Sequence, residues 1–267
     1  MYEAYWGLRE KPFENTPDPR FYYASEQHRE AAARMLYCIR ERKGAGVLTG
    51  VFGCGKTVVA RLLLHELNQE HYRAAYLANP RLSDLDLLRM VTYQLGATAP
   101  AGKADVLMAL ERLVTDHARE GRDTVIVIDE AHTISDSSVM EELRLLLNWQ
   151  WADRFLVTLL LLGQPELAKL VDGNKPFEQR VGIKARLEPL GLEDTTAYIA
   201  HRLRVAGHPS PEAVFTREAI EAVYESTGGI PRRINRLCDL CLLAGMGASA
   251  QAIAPHLVGD EARALAV

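Results

Sequence analysis

The chain alternates short apolar runs with longer stretches of helical period. Thr124 to Ile128 is a bare β-branched run with no polar alternation, the pattern of a strand covered on both faces. Phe155 to Leu162 is a second buried strand, and Gly46 to Thr49 and Ala74 to Ala78 are shorter apolar strands. Helices are predicted near 26–42, with Ser25 as its cap, from a glycine-rich loop to about Glu70, and near 84–95, 103–119 and 137–149. Gly96, Pro100 and Gly102 punctuate the middle of this series. Strands alternating with helices predict an α/β fold, a parallel sheet flanked by helices on both sides. After Pro189 the strand signals stop, and residues 194–206, 216–227 and 232–246 are helical by pattern. The predicted organisation is an αβα domain over 1–190, a small all-helical subdomain over 191–247 and a short Ala-rich tail over 248–267. Residues 1–25, rich in proline and aromatics, read as an irregular, partly packed opening segment.

Composition changes this picture little. The chain has 267 residues, 48% hydrophobic and 25% charged, and a formal charge of -4. That balance fits a soluble globular protein and gives no sign of bulk attraction to nucleic acid or acidic membrane. The N-terminus carries charges and prolines where a signal peptide needs an apolar core, and the most apolar run, Phe155 to Leu162, is about half the ~20 residues of a membrane span. Cys38, Cys54, Cys238 and Cys241 are too few and too scattered for a disulfide framework, so the expected setting is a reducing cytoplasm.

Chemistry enters at Gly50-Val51-Phe52-Gly53-Cys54-Gly55-Lys56-Thr57, which fits G-x-x-x-x-G-K-[ST] between a predicted strand and a predicted helix. The glycines let backbone N–H groups curl around an anion, and the helix N-terminus adds partial positive charge. Lys56 is expected to reach the β and γ phosphates of ATP, and Thr57 to offer its hydroxyl to Mg²⁺. Gly50, Gly53, Cys54, Gly55 and Val58 complete the expected nucleotide contacts, with Cys54 a small filler residue in preference to a redox-sensitive thiol.

A second motif, Val125-Ile126-Val127-Ile128-Asp129-Glu130-Ala131-His132, ends an apolar strand with two carboxylates. Asp129 is placed to hold Mg²⁺ through its water shell, and Glu130 to orient and deprotonate the attacking water. The letters DEAH also occur in a helicase class, but nothing in this chain provides the second RecA-like domain such helicases need. His132 reads as a loop or packing residue, and no His and Cys cluster has metal spacing.

These motifs, with YWGLREKPFENTPDPRFYYASEQHREA, LLLLGQPEL, EQRVGIKARLEPL and GGIPRRINRLCDLCLLAG, resemble the AAA+ ATPases of the ExeA/GspA type from the bacterial general secretion pathway. The likeness covers about residues 1–245. Similar modules occur in pilus-assembly ATPases and in helpers of DNA transposition. The resemblance implies the AAA+ fold with a helical lid. It also implies that Gln164 is at the sensor 1 position, where a polar side chain reads the γ-phosphate; a plain Gly-Gln-Pro turn is the alternative. Asn79 matches the polar residue that holds the catalytic glutamate until a partner arrives, or else simply forms an Asn-Pro turn. Arg180 and Arg186 lie where AAA+ proteins carry an arginine finger for the neighbouring subunit's nucleotide, and Arg180 is preferred. Arg232, with Arg233 as its fallback, matches sensor 2 at the start of a lid helix. Pro12, Phe13 and Phe21 are candidate contacts to the adenine, with a hydrophobic staple on the domain surface as the alternative. Cys238 and Cys241, a lone CxxC in a leucine-rich helix, read as core packing. Longer family members continue into a membrane span and a periplasmic cell-wall-binding domain. This sequence departs from them after the lid, which puts a secretion or peptidoglycan role, and membrane association, in question.

The expected function is an oligomeric AAA+ ATPase, hydrolysing ATP-Mg²⁺ at subunit interfaces to assemble or remodel an unidentified protein partner, of the secretion or pilus-assembly type. The alternative is an ATP-dependent regulator associated with DNA, as transposition helpers are. For it, Arg202, Arg204, Arg232, Arg233 and Arg236 would supply a basic stripe. A nucleotide-dependent scaffold without turnover is the third reading, which the complete acid pair disfavours.

Overall fold

Runs of branched aliphatic residues with no polar partner on either side can be buried only between two layers, and the sheet is built this way. The computed structural model describes every residue except Pro17, Asn68 to Glu70, Asp153 and Val267. The described residues fall into two compact units: Glu26–Phe52 with Lys56–Leu187, and Met1–Ser25 with Gly53–Gly55 and Glu188–Val267.

The first unit holds a five-stranded sheet of β1 (Ala45–Gly50), β2 (Tyr72–Leu77), β3 (Asp123–Ile128), β6 (Val157–Gly163) and β7 (Val181–Leu187), in the order β2-β3-β6-β1-β7 with every pairing parallel. All residues of β1 and β6 are buried, as unalternating central strands must be. A two-stranded antiparallel hairpin, β4 (Gln150–Trp151) with β5 (Arg154–Phe155), precedes β6. Helices α1 (Glu26–Arg40), α2 (Lys56–Glu66), α3 (Asp84–Gln94), α4 (Lys103–Arg119), α5 (Ser137–Leu146), α6 (Glu166–Gly173) and α7 (Lys175–Glu178) cover the strands. Their apolar faces, such as Leu87, Leu88 and Val91 of α3 and Val106, Leu110 and Val114 of α4, join Ile126, Ile128, Leu159 and Leu161 in one core. The edge strand β2 is closed by a side chain: Gln94 accepts from the Tyr76 N–H at 2.6 Å and donates to the Tyr76 carbonyl at 2.8 Å, as a further strand would.

The predicted helices and the four predicted strands form with small shifts of boundary, and the predicted end of α2 near Glu70 lies outside the described residues. Strand β7 was not predicted. Gly182, Lys184 and Arg186 face solvent on this edge, which dilutes the apolar signal while blunting the edge.

The second unit is helical: α8 (Leu192–Val205), α9 (Arg217–Thr227), α10 (Pro231–Gly247) and α11 (Pro255–Ala266). Residues 248–267 are therefore more than a tail, because Ile253, Leu257 and Val258 are buried with α9 and α10. The opening segment belongs to this unit. Trp6, Phe13 and Phe21 are buried in its core, and the Trp6 indole N–H donates to the Leu242 carbonyl at 2.8 Å. Cys238 and Cys241 lie in the same core, as expected for packing residues. Burial raises both thiols, Cys241 to about 12.

Candidate functional site

Parallel strands deliver all their C-terminal ends to one edge of a sheet, and open α/β sheets collect their chemistry there. In the first unit β1 ends at Gly50 and β3 at Ile128, with only β6 between them. Gly50 approaches β7 so closely that a Cβ would stand 2.7 Å from the Leu187 carbonyl oxygen, so the start of the loop has no room for a side chain. Gly53 and Gly55 hold φ of 89° and 101°, where glycine is favoured.

Lys56 is the first residue of α2 and is only 5% exposed. Its ammonium donates to the Gly50 carbonyl at 2.8 Å and to the Val51 carbonyl at 3.1 Å, within the loop itself. The ammonium is thus held inside the loop, at the place where a phosphate cradled by the loop would meet it. Thr57 Oγ1 donates to Asp129 Oδ2 at 2.6 Å, bringing a hydroxyl and a carboxylate together from β1–α2 and from the end of β3. Asp129 is 3% exposed, and its other oxygen accepts from the Glu130 N–H at 2.9 Å. One hydroxyl plus one carboxylate is a hard oxygen set of the sort that holds Mg²⁺ while waters and phosphates complete its shell. Among the described residues no cluster of three or more His, Cys, Asp or Glu could hold a metal.

Sequence reasoning missed two members of this cluster. Tyr76, in β2, donates its hydroxyl to Asp129 Oδ2 at 3.0 Å. Burial, and then the charge of Asp129, raise its pKa, so the phenol stays protonated and keeps donating. His132 is 13% exposed, with Nε2 3.0 Å from the Gln164 side-chain amide and 3.6 Å from Glu130 Oε2. Glu130 itself is left-handed, φ 53° and ψ 30°, a conformation that costs a non-glycine residue about 1 kcal/mol. It is retained by two bonds to its carbonyl, from Thr133 N at 2.9 Å and Thr133 Oγ1 at 2.8 Å. Strain held in this way belongs to residues whose placement matters.

The remaining candidates are distributed differently. Gln164 follows β6 directly, next to His132. Asn79 accepts from the Arg81 N–H at 3.1 Å, and Glu130 Oε2 lies 3.6 Å from His132 Nε2. Arg180 and Arg186 sit at opposite ends of β7: Val181 is in register with Ala45 at the start of β1, and Arg186 with Thr49 at its end. Arg180 donates to Asn148 Oδ1 at 2.6 Å.

In the helical unit Arg232 is exposed at the N-terminus of α10, and its N–H donates to the Gly53 carbonyl at 3.4 Å. A Cβ on Gly53 would come within 2.8 Å of the Arg232 Cβ. Pro12, Phe13 and Phe21 do not offer themselves to a base. Phe13, 2% exposed, packs edge-to-face on Phe215, and Phe21 lies 4.7 Å beneath the Arg202 guanidinium. The expected basic stripe also loses members, because Arg202 is buried and Arg204 pairs with Glu212 at 2.6 Å.

The profile of an AAA domain family matches residues 39–171. General secretion pathway protein A of Aeromonas hydrophila is 38% identical over 252 residues, which is 91% of this chain and 45% of that protein. The chain thus spans about half the length of that relative. Among solved structures, the ORC2 protein of Aeropyrum pernix has a TM-score of 0.69 at 16% identity, over 95% of this chain and 71% of that one. The RuvB Holliday junction branch migration motor of Thermotoga maritima has a TM-score of 0.61 at 20% identity, over 91% and 70%. At such identities the two structures speak for the fold alone. Among the described residues no helix is long and apolar enough to cross a membrane. Phosphate loop, acidic strand end, five-stranded parallel sheet and extended likeness agree, and the chain belongs to the AAA+ family of the general secretion pathway protein A (ExeA/GspA) type.

Proposed function

We propose that this chain binds ATP-Mg²⁺ at the phosphate loop and hydrolyses it, with turnover that depends on self-assembly and drives the assembly or remodelling of a partner complex. The observation that carries the reading is the convergence of Thr57 and Asp129 at 2.6 Å, with Glu130 as the next residue and the Lys56 ammonium inside the loop. Mg²⁺ held through Thr57 and Asp129 would neutralise charge on the β and γ phosphates. Lys56 exchanges its loop carbonyls for phosphate oxygens. Glu130, 35% exposed, is open to the solvent from which it takes its water, and deprotonates that water for in-line attack. Gln164 reads the γ-phosphate. Arg232 reports it to α10, a role supported by its place beside Gly53 of the loop. Arg180 or Arg186 supplies positive charge to the nucleotide of a neighbouring copy.

The Aeromonas relative is named for general secretion, and a secretion or pilus-type partner is the proposal for this chain. A DNA partner has weaker support, since two of the five arginines it needs are engaged inside the chain. Glu130→Gln tests the core of the reading. It should retain ATP binding and lose turnover by about a hundredfold or more. Normal hydrolysis by that variant would remove Glu130 from the mechanism. Lys56→Ala should lose binding instead, and size measurement with and without ATP tests the assembly step.

A further inference from the structure

His132 stands between the group assigned to read the γ-phosphate and the group assigned to activate water, and its hydrogen bonds determine its tautomer. The Gln164 backbone nitrogen lies 3.3 Å from His132 Nδ1. A backbone N–H can only donate, so Nδ1 accepts, and the neutral ring carries its proton on Nε2. That Nε2–H points at the Gln164 side-chain amide 3.0 Å away. An NH₂ in that position would set two donors against each other. The amide atom facing the ring is therefore the oxygen, since the two ends of an amide are told apart by their partners and not by shape. Gln164 accepts from His132, and its NH₂, a donor only, is the end left to meet an anion.

The same Nε2 is 3.6 Å from Glu130 Oε2, beyond a hydrogen bond but within electrostatic reach of a carboxylate. With its ring 13% exposed and its Nδ1 fixed by backbone, the imidazole has a single orientation to offer both neighbours. It therefore links a residue after β6 to one after β3, across two neighbouring strand ends of which the β6 end is next to that of β1, where the phosphate loop starts.

We propose that His132 is a positioning residue for hydrolysis: it turns the Gln164 amide so that its NH₂ faces the γ-phosphate, and it sets the Glu130 carboxylate. This rests on the roles given above to Glu130 and Gln164. A residue of this kind acts on turnover and leaves ground-state binding alone, whereas a packing residue acts on stability.

The test is turnover, equilibrium binding of a fluorescent ATP analogue with Mg²⁺, and thermal melting, for the full chain carrying His132→Ala, His132→Gln, Gln164→Ala and the first and third together. His132→Ala should lower kcat about tenfold to a hundredfold, the range for removing an orienting partner. Binding should stay within about threefold and melting should match the parent, because a positioning loss leaves the ground state alone. His132→Gln, whose side-chain amide donates from a similar reach, should recover part of the loss. The double variant should be no slower than the slower single variant, since the two residues act as one unit. Multiplying losses, an unaltered kcat in His132→Ala, or a kcat loss that tracks lost melting temperature and binding would each overturn the proposal. The Glu130→Gln variant separates the levels. If it hydrolyses normally, or if the parent has no turnover, the functional reading fails and this inference with it. If it is dead while His132→Ala is unaltered, only the inference fails.

Discussion

Arg202→Ala should unfasten the opening segment from the helical unit. Arg202 is 5% exposed; it donates to the Pro12 carbonyl at 2.5 Å, the Glu14 carbonyl at 2.8 Å and the Tyr198 hydroxyl at 3.0 Å, and it covers the Phe21 ring. Hydrogen bonds to a charged group contribute about 1.5–3 kcal/mol each and a desolvated cation–π contact about 2, but burying the guanidinium costs several kcal/mol. The buried guanidinium therefore contributes less than the sum of its contacts, while its removal is expensive. Glu14 is exposed and its carbonyl regains water, whereas buried Pro12 keeps an unmet acceptor at about 1–3 kcal/mol. The vacated volume and lost stem packing add about 2 kcal/mol. The expected total is about 3–5 kcal/mol. Arg202→Lys keeps the charge without the planar fork and should cost about 2 kcal/mol. Denaturant unfolding measures both, and trypsin should cut faster after Arg9 in the alanine variant. An alanine variant within about 1 kcal/mol of the parent, with unchanged cleavage, would refute the assignment of this arginine as the clamp of the segment.

Three further outcomes can be checked. Gly229 has φ 70°, and a Cβ there would lie 1.9 Å from the Leu190 carbonyl oxygen, so Gly229→Ala should destabilise by about 2–4 kcal/mol; Gly228→Ala, also left-handed but with open space, should cost only about 1 kcal/mol by the same denaturation assay. Burial depresses the pKa of His117 below its ordinary 6.5, with nearby Arg73 adding to the effect, while Nδ1 meets Thr124 Oγ1 at 3.1 Å. Its stabilising share is present above 6.5 and is lost as pH falls through the lower folded value, so acid melting curves of His117→Gln should be flatter in that window. Arg180→Ala should lower turnover by about a thousandfold with intact binding, and mixing it with Glu130→Gln should restore activity at mixed interfaces, where each variant supplies what the other lacks; failure of the mixture to recover would place the finger elsewhere.

What could be read in the sequence was what lies close together along it. The phosphate loop and the Asp129-Glu130 pair are contiguous motifs at predicted strand ends, and the buried strands β3 and β6 announce themselves by apolar runs. Tyr76 and Asp129 are 53 residues apart and His132 and Gln164 are 32 apart, so their contacts exist only once the sheet order is known. Strand β7 was hidden by its own solvent-facing residues, and α11 by an alanine-rich composition that reads as featureless while it buries Leu257 and Val258. Phe13 and Phe21 read from the sequence as contacts to the adenine or as a surface staple, whereas both lie in the buried core of the helical unit. An aromatic side chain does not state what it will pack against, and these two chose Phe215 and Arg202.

The two candidate fingers show how far topology can go beyond residue type. They are chemically alike and six positions apart, Arg180 just before β7 and Arg186 within it, which at about 3.3 Å per residue separates them by about 20 Å. The parallel register gives that separation a direction. Arg186 stands opposite Thr49, one residue before the phosphate loop, whereas Arg180 precedes a residue opposite Ala45 at the far end of β1. Arg180 is thus about a strand's length from its own loop, and any nucleotide it serves must belong to another copy. Its backbone is held in place, since its carbonyl accepts from the Ala45 N–H at 2.9 Å and leaves Gly44 no room for a Cβ, which would come within 2.7 Å. A rigid base and a long cationic side chain at the sheet's far edge are what a finger offered outward requires. Arg186, beside its own loop, has the better position for a role within its own subunit.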